Sequence, residues 1–368
     1  MASVESISNV SMSYPMTSGD GPHSYYKNSN FQKRALEAAK QKEAIEDKLE
    51  VNNLEFLGKS ETFCVADFGC SVGPNTFIAM QNIVEAVQLK YEQQCHQQKN
   101  GSSLEFQVFF NDHVNNDFNT LFTNLPVPPG FFAAGVPGGF TNRLFPKACL
   151  HSAHSSYALH WLSKVPEGLA DVNSPAYNKD SIHCTGFSEE VAKAYAAQFK
   201  KDMENFLNAR GQELVGGGLM ALRIAATPEG FVSSQTYLGL NNDLLLDCLM
   251  EMVKELKQGI ITQVKVEAFN LPLYFPPIKE LEAILHNNAY VERLDCLARH
   301  QNIWPVDPSL PSLLRAFTAE VFKQHFGEEI VDSLFEHFAK KLAVNYETYA
   351  AKEEPLNTFI ILKRKMNI

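Results

Sequence analysis

Residues Phe63 to Thr76, FCVADFGCSVGPNT, constrain the fold more than any other stretch of this chain. An apolar run, Phe63, Cys64, Val65 and Ala66, ends at Asp67. A turn holding Gly69 and Gly73 then leads to Pro74 and the amphipathic run Phe77, Ile78, Met80, Ile83, Val84 and Val87. The pattern reads as a buried strand, a tight turn and a helix, the unit that holds ligands in nucleotide-binding α/β domains. Pro74 suits the first helical turn, where a missing N–H is harmless, and the glycines let a ligand approach the backbone. A dinucleotide loop needs G-x-G-x-x-G and a Walker loop ends in lysine followed by serine or threonine; this turn has neither. An acidic strand end followed by a glycine turn suits a ligand with a cationic amine and no phosphate, such as S-adenosylmethionine (SAM). The same residues also suit a plain strand-turn-helix in any α/β protein.

The rest of the chain extends this unit. Gly19, Gly21 and Pro22 make a loop within Met16–Gln32, either a lid or a simple entry turn, ahead of a helical run over 31–49. After a polar surface stretch over 91–103, Leu104–Phe110 alternates into a second strand ending at Asn111 and Asp112. Asp112 falls where such folds grip a ribose with a carboxylate. It could equally cap the next helix, over 116–125, although Asp117 serves that purpose as well. Residues 131–136 read as a third strand. His151–Trp161 is either about three helical turns or a strand with its following loop, and its two histidines lack a third metal ligand nearby. A long helix over 189–210, closed by Gly216, Gly217 and Gly218, precedes a strand over 219–225. The alternation predicts a mainly parallel, Rossmann-like doubly wound sheet.

Beyond Pro228 the pattern turns helical, with runs over 241–261, 279–286, 309–326 and 328–346. Between the first two lies a proline-rich stretch, Phe269–Pro277, and strands over 290–297 and 358–362 return to the sheet. The expected organisation is an N-terminal arm and lid (1–34), a Rossmann-like SAM-binding domain (35–228 with 353–368) and a mostly helical cap over the acceptor pocket (229–352).

Bulk properties narrow the class. A chain of 368 residues with 45% hydrophobic and 20% charged side chains can bury a large core. A net charge of −10 disfavours nucleic acid or an anionic membrane as partner and suits small-molecule work. Seven scattered cysteines without C-x-x-C spacing argue for a reducing compartment. With no secretory signal or transmembrane-length apolar run in view, the expectation is cytoplasmic.

Four ordered segments resemble one family. They are S-Y-x-x-N-S-x-x-Q (Ser24–Gln32), D-F-G-C-S-x-G-P-N-T (Asp67–Thr76), F-F-N-D-x-x-x-N-D-F-N (Phe109–Asn119) and H-S-S-Y-x-L-x-W-L-S (His154–Ser163). They are similar to the plant SABATH methyltransferases, over about Met16 to the C-terminus. That resemblance implies methyl transfer from SAM, usually to a carboxylate, in a homodimer. It assigns the cofactor to Tyr25, Ser29, Asp67, Gly69, Cys70, Asn75, Asp112, His113, Gly139 and Phe140, with Gly139 standing where the family usually has serine. The amide of Gln32 and the indole N–H of Trp161 would hold the acceptor carboxylate, with Tyr157 and His160 in the same pocket. Asn178, Glu267, Phe269 and Asn270 match positions where some relatives hold Mg²⁺ through oxygen ligands, here in a structural role.

Chemistry agrees with neutral donors at the acceptor. A carboxylic acid is ionised at neutral pH and needs no base to attack a sulfonium methyl, so alignment is the main requirement. Leu273 stands where the family motif often has glutamine, and no histidine lies within Asn241–Leu246. A leucine leaves a buried hydroxyl unpaired at a cost of about 1 to 3 kcal/mol, so the expected acceptor is an apolar acid of iridoid or terpenoid type. Two alternatives stay open: methylation of an enol or acidic hydroxyl on an iridoid-derived alkaloid with His160 as base, and a non-catalytic binding protein on the same scaffold.

Overall fold

The computed structural model describes residues 14–38, 41–50, 62–95, 104–128, 130–255, 261–299, 309–345, 347 and 355–366. Parts of the readings above for 1–13, 96–103, 256–260 and 346–352 lie outside them. In chain order the arm gives α1 (Tyr25–Asn28), α2 (Asn30–Ala38) and α3 (Gln41–Lys48). The sheet domain follows as β1 (Thr62–Phe68), α4 (Asn75–Cys95), β2 (Glu105–Asp112), α5 (Phe118–Thr123), β3 (Phe132–Pro137), β4 (Leu150–Ser156), α6 (Glu189–Glu213) and β5 (Leu214–Ala226). Then come α7 (Tyr237–Glu255), α8 (Gln263–Glu267), α9 (Ile278–His286), β6 (Val291–Arg299), α10 (Leu310–Phe326), α11 (Val331–Val344) and β7 (Leu356–Arg364).

The seven strands lie in the order β3-β2-β1-β4-β5-β7-β6. β1 to β5 are parallel, and β7 enters antiparallel between β5 and β6. Parallel strands buried on both faces read as continuous apolar runs, and all thirteen residues of β5 are buried. Chain order reverses between β1 and β4, which opens a crevice at the carboxyl edge. One face packs α2, α3 and α4 through Leu36, Ile45, Phe77, Met80 and Ile83. The other packs α6 and α9 through Phe199, Met203, Phe206, Leu281 and Ile284. The cap is a third core, in which Leu245, Leu249, Phe322, Leu334 and Phe338 join α7, α10 and α11. α9 thus belongs to the sheet layer, although the sequence reading put it in the cap.

Pro74 sits just ahead of α4 and its carbonyl accepts from Ile78 N at 3.0 Å. Asp117 caps α5, accepting from Thr120 N at 2.9 Å. Two boundaries differ from the sequence reading. Gly216–Gly218 do not end α6: its cap is Leu214, and the glycines lie inside β5. There the register with β4 jumps from Leu150 opposite Leu214 to Ser152 opposite Leu219. Gly217 takes a φ of 78°, so the glycines form a bulge, the other structure they permit inside a strand. α7 starts at Tyr237 rather than Asn241 because Thr236 Oγ1 accepts from Gly239 N, a side-chain cap.

One buried ion pair fixes a wall of the crevice. Arg210 Nε donates to Glu213 Oε2 at 2.6 Å, and its other nitrogens donate to Phe140 O and Asn142 O. Glu213 Oε1 accepts from Leu144 N and Phe145 N, so the pair staples the segment after β3 to the end of α6. Removing one partner of such a pair leaves an uncompensated buried charge. Arg210→Met is expected to destabilise the fold by about 3 to 5 kcal/mol, read by urea denaturation.

Candidate active site

Three connected hollows open at the carboxyl ends of β1, β2 and β4. The first, about 340 Å³, is lined by Asp67, Gly69, Cys70, Asn75, Gln32 and Tyr25 among others. Asp67 ends β1 almost fully buried; the Thr76 hydroxyl donates to its Oδ2, and His154 Nδ1 lies 2.7 Å from its Oδ1. Each carboxylate oxygen keeps a second lone pair. Burial pushes the Cys70 thiol well above its usual range, so it remains a thiol. Asn75 Nδ2 donates to Ser29 O at 3.0 Å. Ser29 therefore ties the arm to α4 through its backbone and does not line the hollow.

The second hollow, about 720 Å³, runs over Gly69, Ser71, Asp112, His113, Gly139 and Phe140. Asn111 O accepts from Gly69 N and Cys70 N, and Asn111 Nδ2 donates to Val136 O and Gly138 O. One asparagine thereby spaces the ends of β1, β2 and β3. Asp112 accepts from Ser71 N and from His113 N, each at 2.7 Å. Burial raises its carboxyl above the ordinary value, and these two N–H groups oppose the rise. The His113 and Phe140 rings stand 6.4 Å apart. Nothing lies within 4 Å of where a Cβ on Gly139 would stand, so the missing side chain leaves open space.

The third hollow, about 530 Å³, is lined by Gln32, Tyr157, His160, Trp161 and Leu273, with Phe31, Leu238, Phe275, Leu313 and Phe317 completing a mostly apolar wall. Tyr25 lines all three hollows, Tyr157 and Trp161 line the second and third, and Gln32 lines the first and third. The hollows therefore meet at these four side chains. Burial, then Asp112 and Asp67, raise the Tyr25 phenol, which keeps its proton. Four buried side-chain atoms without partners, Gln32 Oε1, Ser71 Oγ, Asn75 Oδ1 and Ser156 Oγ, all belong to residues lining these hollows. Unsatisfied polar atoms are rare in native interiors and cost about 1 to 3 kcal/mol each. Four such atoms around one set of connected hollows fit a ligand site, while other buried polar atoms, Asn241 Oδ1 and Glu280 Oε1 among them, lack partners elsewhere.

His160 lies in the third hollow with its Nε2 turned to the β5 backbone, against both Ala225 N and Ala225 O. Its Nε2 accepts from Ala225 N at 2.8 Å, and burial holds its pKa down to about 4. The expectation of His160 as a base is therefore corrected: the nitrogen that would take a proton is bonded to the strand.

The residues proposed for magnesium do come together, but not as an oxygen cage. Asn178 Nδ2 donates to Asn270 Oδ1 at 2.8 Å and to His183 O at 3.0 Å. Glu267 accepts from Tyr177 and Gln263, and the Phe269 ring packs on Phe322 and Phe326. Asn270 Nδ2 is left without a partner. No cluster of three His, Cys, Asp or Glu side chains exists among the described residues. Nothing below depends on a magnesium ion.

Sequence reading missed Ser71, Ser156, Met16 and the apolar wall. Ser71 and Ser156 lie inside the motifs and could have been named; Leu313 and Phe317, four apart on α10, are indistinguishable in sequence from core. No helix among the described residues is long and apolar enough to cross a membrane.

Sheet order and crevice define a class I, Rossmann-like methyltransferase, and whole-chain comparison agrees. The family model described as SAM dependent carboxyl methyltransferase matches residues 11–365. The chain belongs to this family, the SABATH enzymes, and is a SAM-dependent methyltransferase. It is 47% identical over 361 residues to loganic acid O-methyltransferase of Catharanthus roseus, covering 96% of this chain and 95% of the relative. It is 39% identical over 360 residues to farnesoic acid carboxyl-O-methyltransferase of Arabidopsis thaliana, covering 96% and 100%. A solved structure of loganic acid methyltransferase with SAH superposes with a TM-score of 0.89 at 46% identity, covering 96% of this chain and 99% of that one.

Two buried histidines set an acid limit. His151 Nδ1 accepts from Cys64 N, and burial holds its pKa down to about 3; His160 stands at about 4. Both are neutral when folded, whereas an unfolded histidine titrates near about 6.5. The unfolded chain therefore binds more protons between those values. The stability they contribute is complete above about pH 6.5 and is lost as pH falls toward their folded pKa values, by up to about 1.4 kcal/mol per pH unit for each. Urea denaturation at several pH values is expected to show this decline and to show it reduced in His160→Gln. Methyl transfer is expected to be unaffected by EDTA, read as initial rate after exhaustive chelation.

Proposed function

We propose that the protein forms the methyl ester of a small, largely apolar plant carboxylic acid, of iridoid or terpenoid type, by direct transfer from SAM. The observation that carries this reading is the junction itself: Gln32 and Trp161 stand where the cofactor hollows meet the apolar one. SAM would lie with its methionine end by Asp67, Cys70 and Asn75, its ribose at Asp112 and its adenine by His113, Gly139 and Phe140. Its sulfonium would face Tyr25 and Tyr157. The acceptor would fill the third hollow, whose mostly apolar wall with a few polar groups is that of a small-molecule site.

Gln32 Nε2 and Trp161 Nε1 donate to the acceptor carboxylate and aim one oxygen along the S–CH₃ axis. That oxygen attacks the methyl carbon, the C–S bond breaks and its electron pair returns to sulfur, giving the ester and S-adenosylhomocysteine. No proton moves, because the acid is already ionised. Catalysis rests on alignment. The arm supports a lid role for residues 14–34: Thr17 N donates to Ala316 O on α10 and Gly19 N to Asp117 Oδ2 at α5, which ties cap to sheet over the junction.

An enol acceptor is disfavoured because it would need a base, and His160 Nε2 is engaged by the β5 backbone while burial holds its pKa down to about 4. Leu273, Phe275, Leu313 and Phe317 favour an apolar acid, closer to the farnesoic than to the loganic acid for which the two relatives are named.

With methyl-labelled SAM and a panel of farnesoic, loganic and aromatic acids plus iridoid-derived enols, the expected product is a methyl ester, with farnesoic acid preferred. Methylation of enols alone would overturn the reading. Gln32→Ala and Trp161→Phe each remove a hydrogen bond to a charged group, worth about 1.5 to 3 kcal/mol. Each is expected to lower kcat/KM roughly 10- to 150-fold, and calorimetry on Trp161→Phe should find S-adenosylhomocysteine affinity nearly unchanged.

A further inference from the structure

Three arginines are deeply buried in the sheet domain, Arg210, Arg223 and Arg364, and the first two are partnered in opposite ways. Arg210 has Glu213 and two carbonyls. Arg223 on β5 is only 2% exposed, yet its Nε and Nη2 have no partner. No acidic side chain is among the charges acting on it; its polar neighbour is the Tyr157 hydroxyl. Its guanidinium lies 5.5 Å from the centre of the Phe359 ring. Burial lowers its pKa from the ordinary arginine value, which lies so high that the group stays charged at neutral pH. An unpaired charge in an interior is costly, and its place in the fold indicates a use.

Residues two apart on a strand share a face. Arg223 and Ala225 therefore share one, together with their cross-strand partners on β7, Phe359 and Asn357. Ala225 lines the third hollow, so Arg223 stands just behind its floor. Tyr157 connects the two: its ring lines the second and third hollows, its hydroxyl donates to Asn357 Oδ1 and its N–H donates to Arg223 O at 3.0 Å. On the cofactor side the fixed charges are negative, Asp67 and Asp112, both felt by Tyr25. Apart from the sulfonium of bound SAM, an anionic acceptor entering the apolar pocket would meet that negative field with only neutral side-chain donors lining the pocket.

We propose that Arg223 is the positive pole of the acceptor pocket, a specificity residue that acts through the Tyr157 hydroxyl to select ionised acids over neutral molecules of the same shape. The proposal rests on the carboxylate reading above. A cation in direct contact with the nucleophilic oxygen would bind the acid but blunt its attack; set behind a phenol, the charge stabilises the anion and leaves the oxygen to Gln32 and Trp161. Field in a low-dielectric site is felt at such range. The protein groups facing the bound carboxylate are Tyr25, Tyr157 and the neutral His160, with Asp67 and Asp112 beyond, so among the described residues at the pocket Arg223 is the cation that adds to the sulfonium's own charge.

The test compares wild type, Arg223→Lys and Arg223→Met with farnesoic acid as substrate and farnesoic primary amide as a neutral competitive inhibitor. Arg223→Met is expected to raise KM for the acid about tenfold or more with kcat within about threefold, to leave inhibition by the amide within about twofold, and to be largely rescued by Arg223→Lys. Equal weakening of acid and amide, or a lysine variant no better than methionine, would mean a packing role and overturn the proposal. Should Arg223→Met not fold, wild type decides: carboxyl-labelled farnesoic acid bound beside S-adenosylhomocysteine, followed by ¹³C NMR, is expected to titrate below the free acid. A bound pKa at or above the free value overturns the proposal. Wild type that esterifies no carboxylic acid overturns the carboxylate reading and this one with it, an outcome distinct from active wild type with an indifferent Arg223→Met.

Discussion

Two turns meet at the carboxyl edge of the sheet with no room for a side chain between them. Gly69, after β1, takes a φ of 83°, and a Cβ there would stand 2.2 Å from the Cβ of Ala158. Tyr157, beside Ala158, is itself in the left-handed region at a φ of 56°. That conformation is strained for a residue with a bulky side chain, and it is held by the Tyr157 N–H to Arg223 O and by the hydroxyl to Asn357. This contact brings the turn after β1 against the turn after β4, at the edge where the hollows open. A side chain at 69 would part the turns and the reacting groups with them.

The site built around that contact is polar by position and apolar by area. Its few polar groups sit at the junction and along the cofactor cradle, several with a buried atom unpaired, while the acceptor side is walled by leucine and phenylalanine. Such a division suits a reaction in which both charges arrive with the reactants. A sulfonium and a carboxylate neutralise each other as the ester forms, so the protein has only to hold them in line. Strong acid-base groups would add nothing to that chemistry, and His151 and His160 are held by backbone amides.

Much of the site was legible in the chain. Asp67, Gly69, Asp112, Tyr25, Gln32 and Trp161 fall in short motifs, because a strand end or turn that must face a ligand demands particular residues at fixed local spacing. Those six line the hollows at the carboxyl edge of the sheet. Where sequence reading failed, the deciding partner was distant along the chain. His160 looks like a base until Ala225 N, 65 residues on, is seen to occupy it. Asn178 and Asn270 bond to each other across 92 residues, a pairing that spacing alone does not give. The glycines at 216–218 look like a helix stop because a bulge and a cap call for the same residue.

By itself, the sequence determined the alternation of strand and helix, the glycine turn after β1 and the family, since each is written in local periodicity and short-range motifs. Tertiary structure alone decided the insertion of β7 between β5 and β6, the meeting of three hollows at Tyr25, Gln32, Tyr157 and Trp161, and the solitary charge of Arg223 behind the acceptor floor. The physical reason is that pairing and isolation are properties of space. Whether a buried polar atom is satisfied depends on groups that the chain brings together only when the sheet closes.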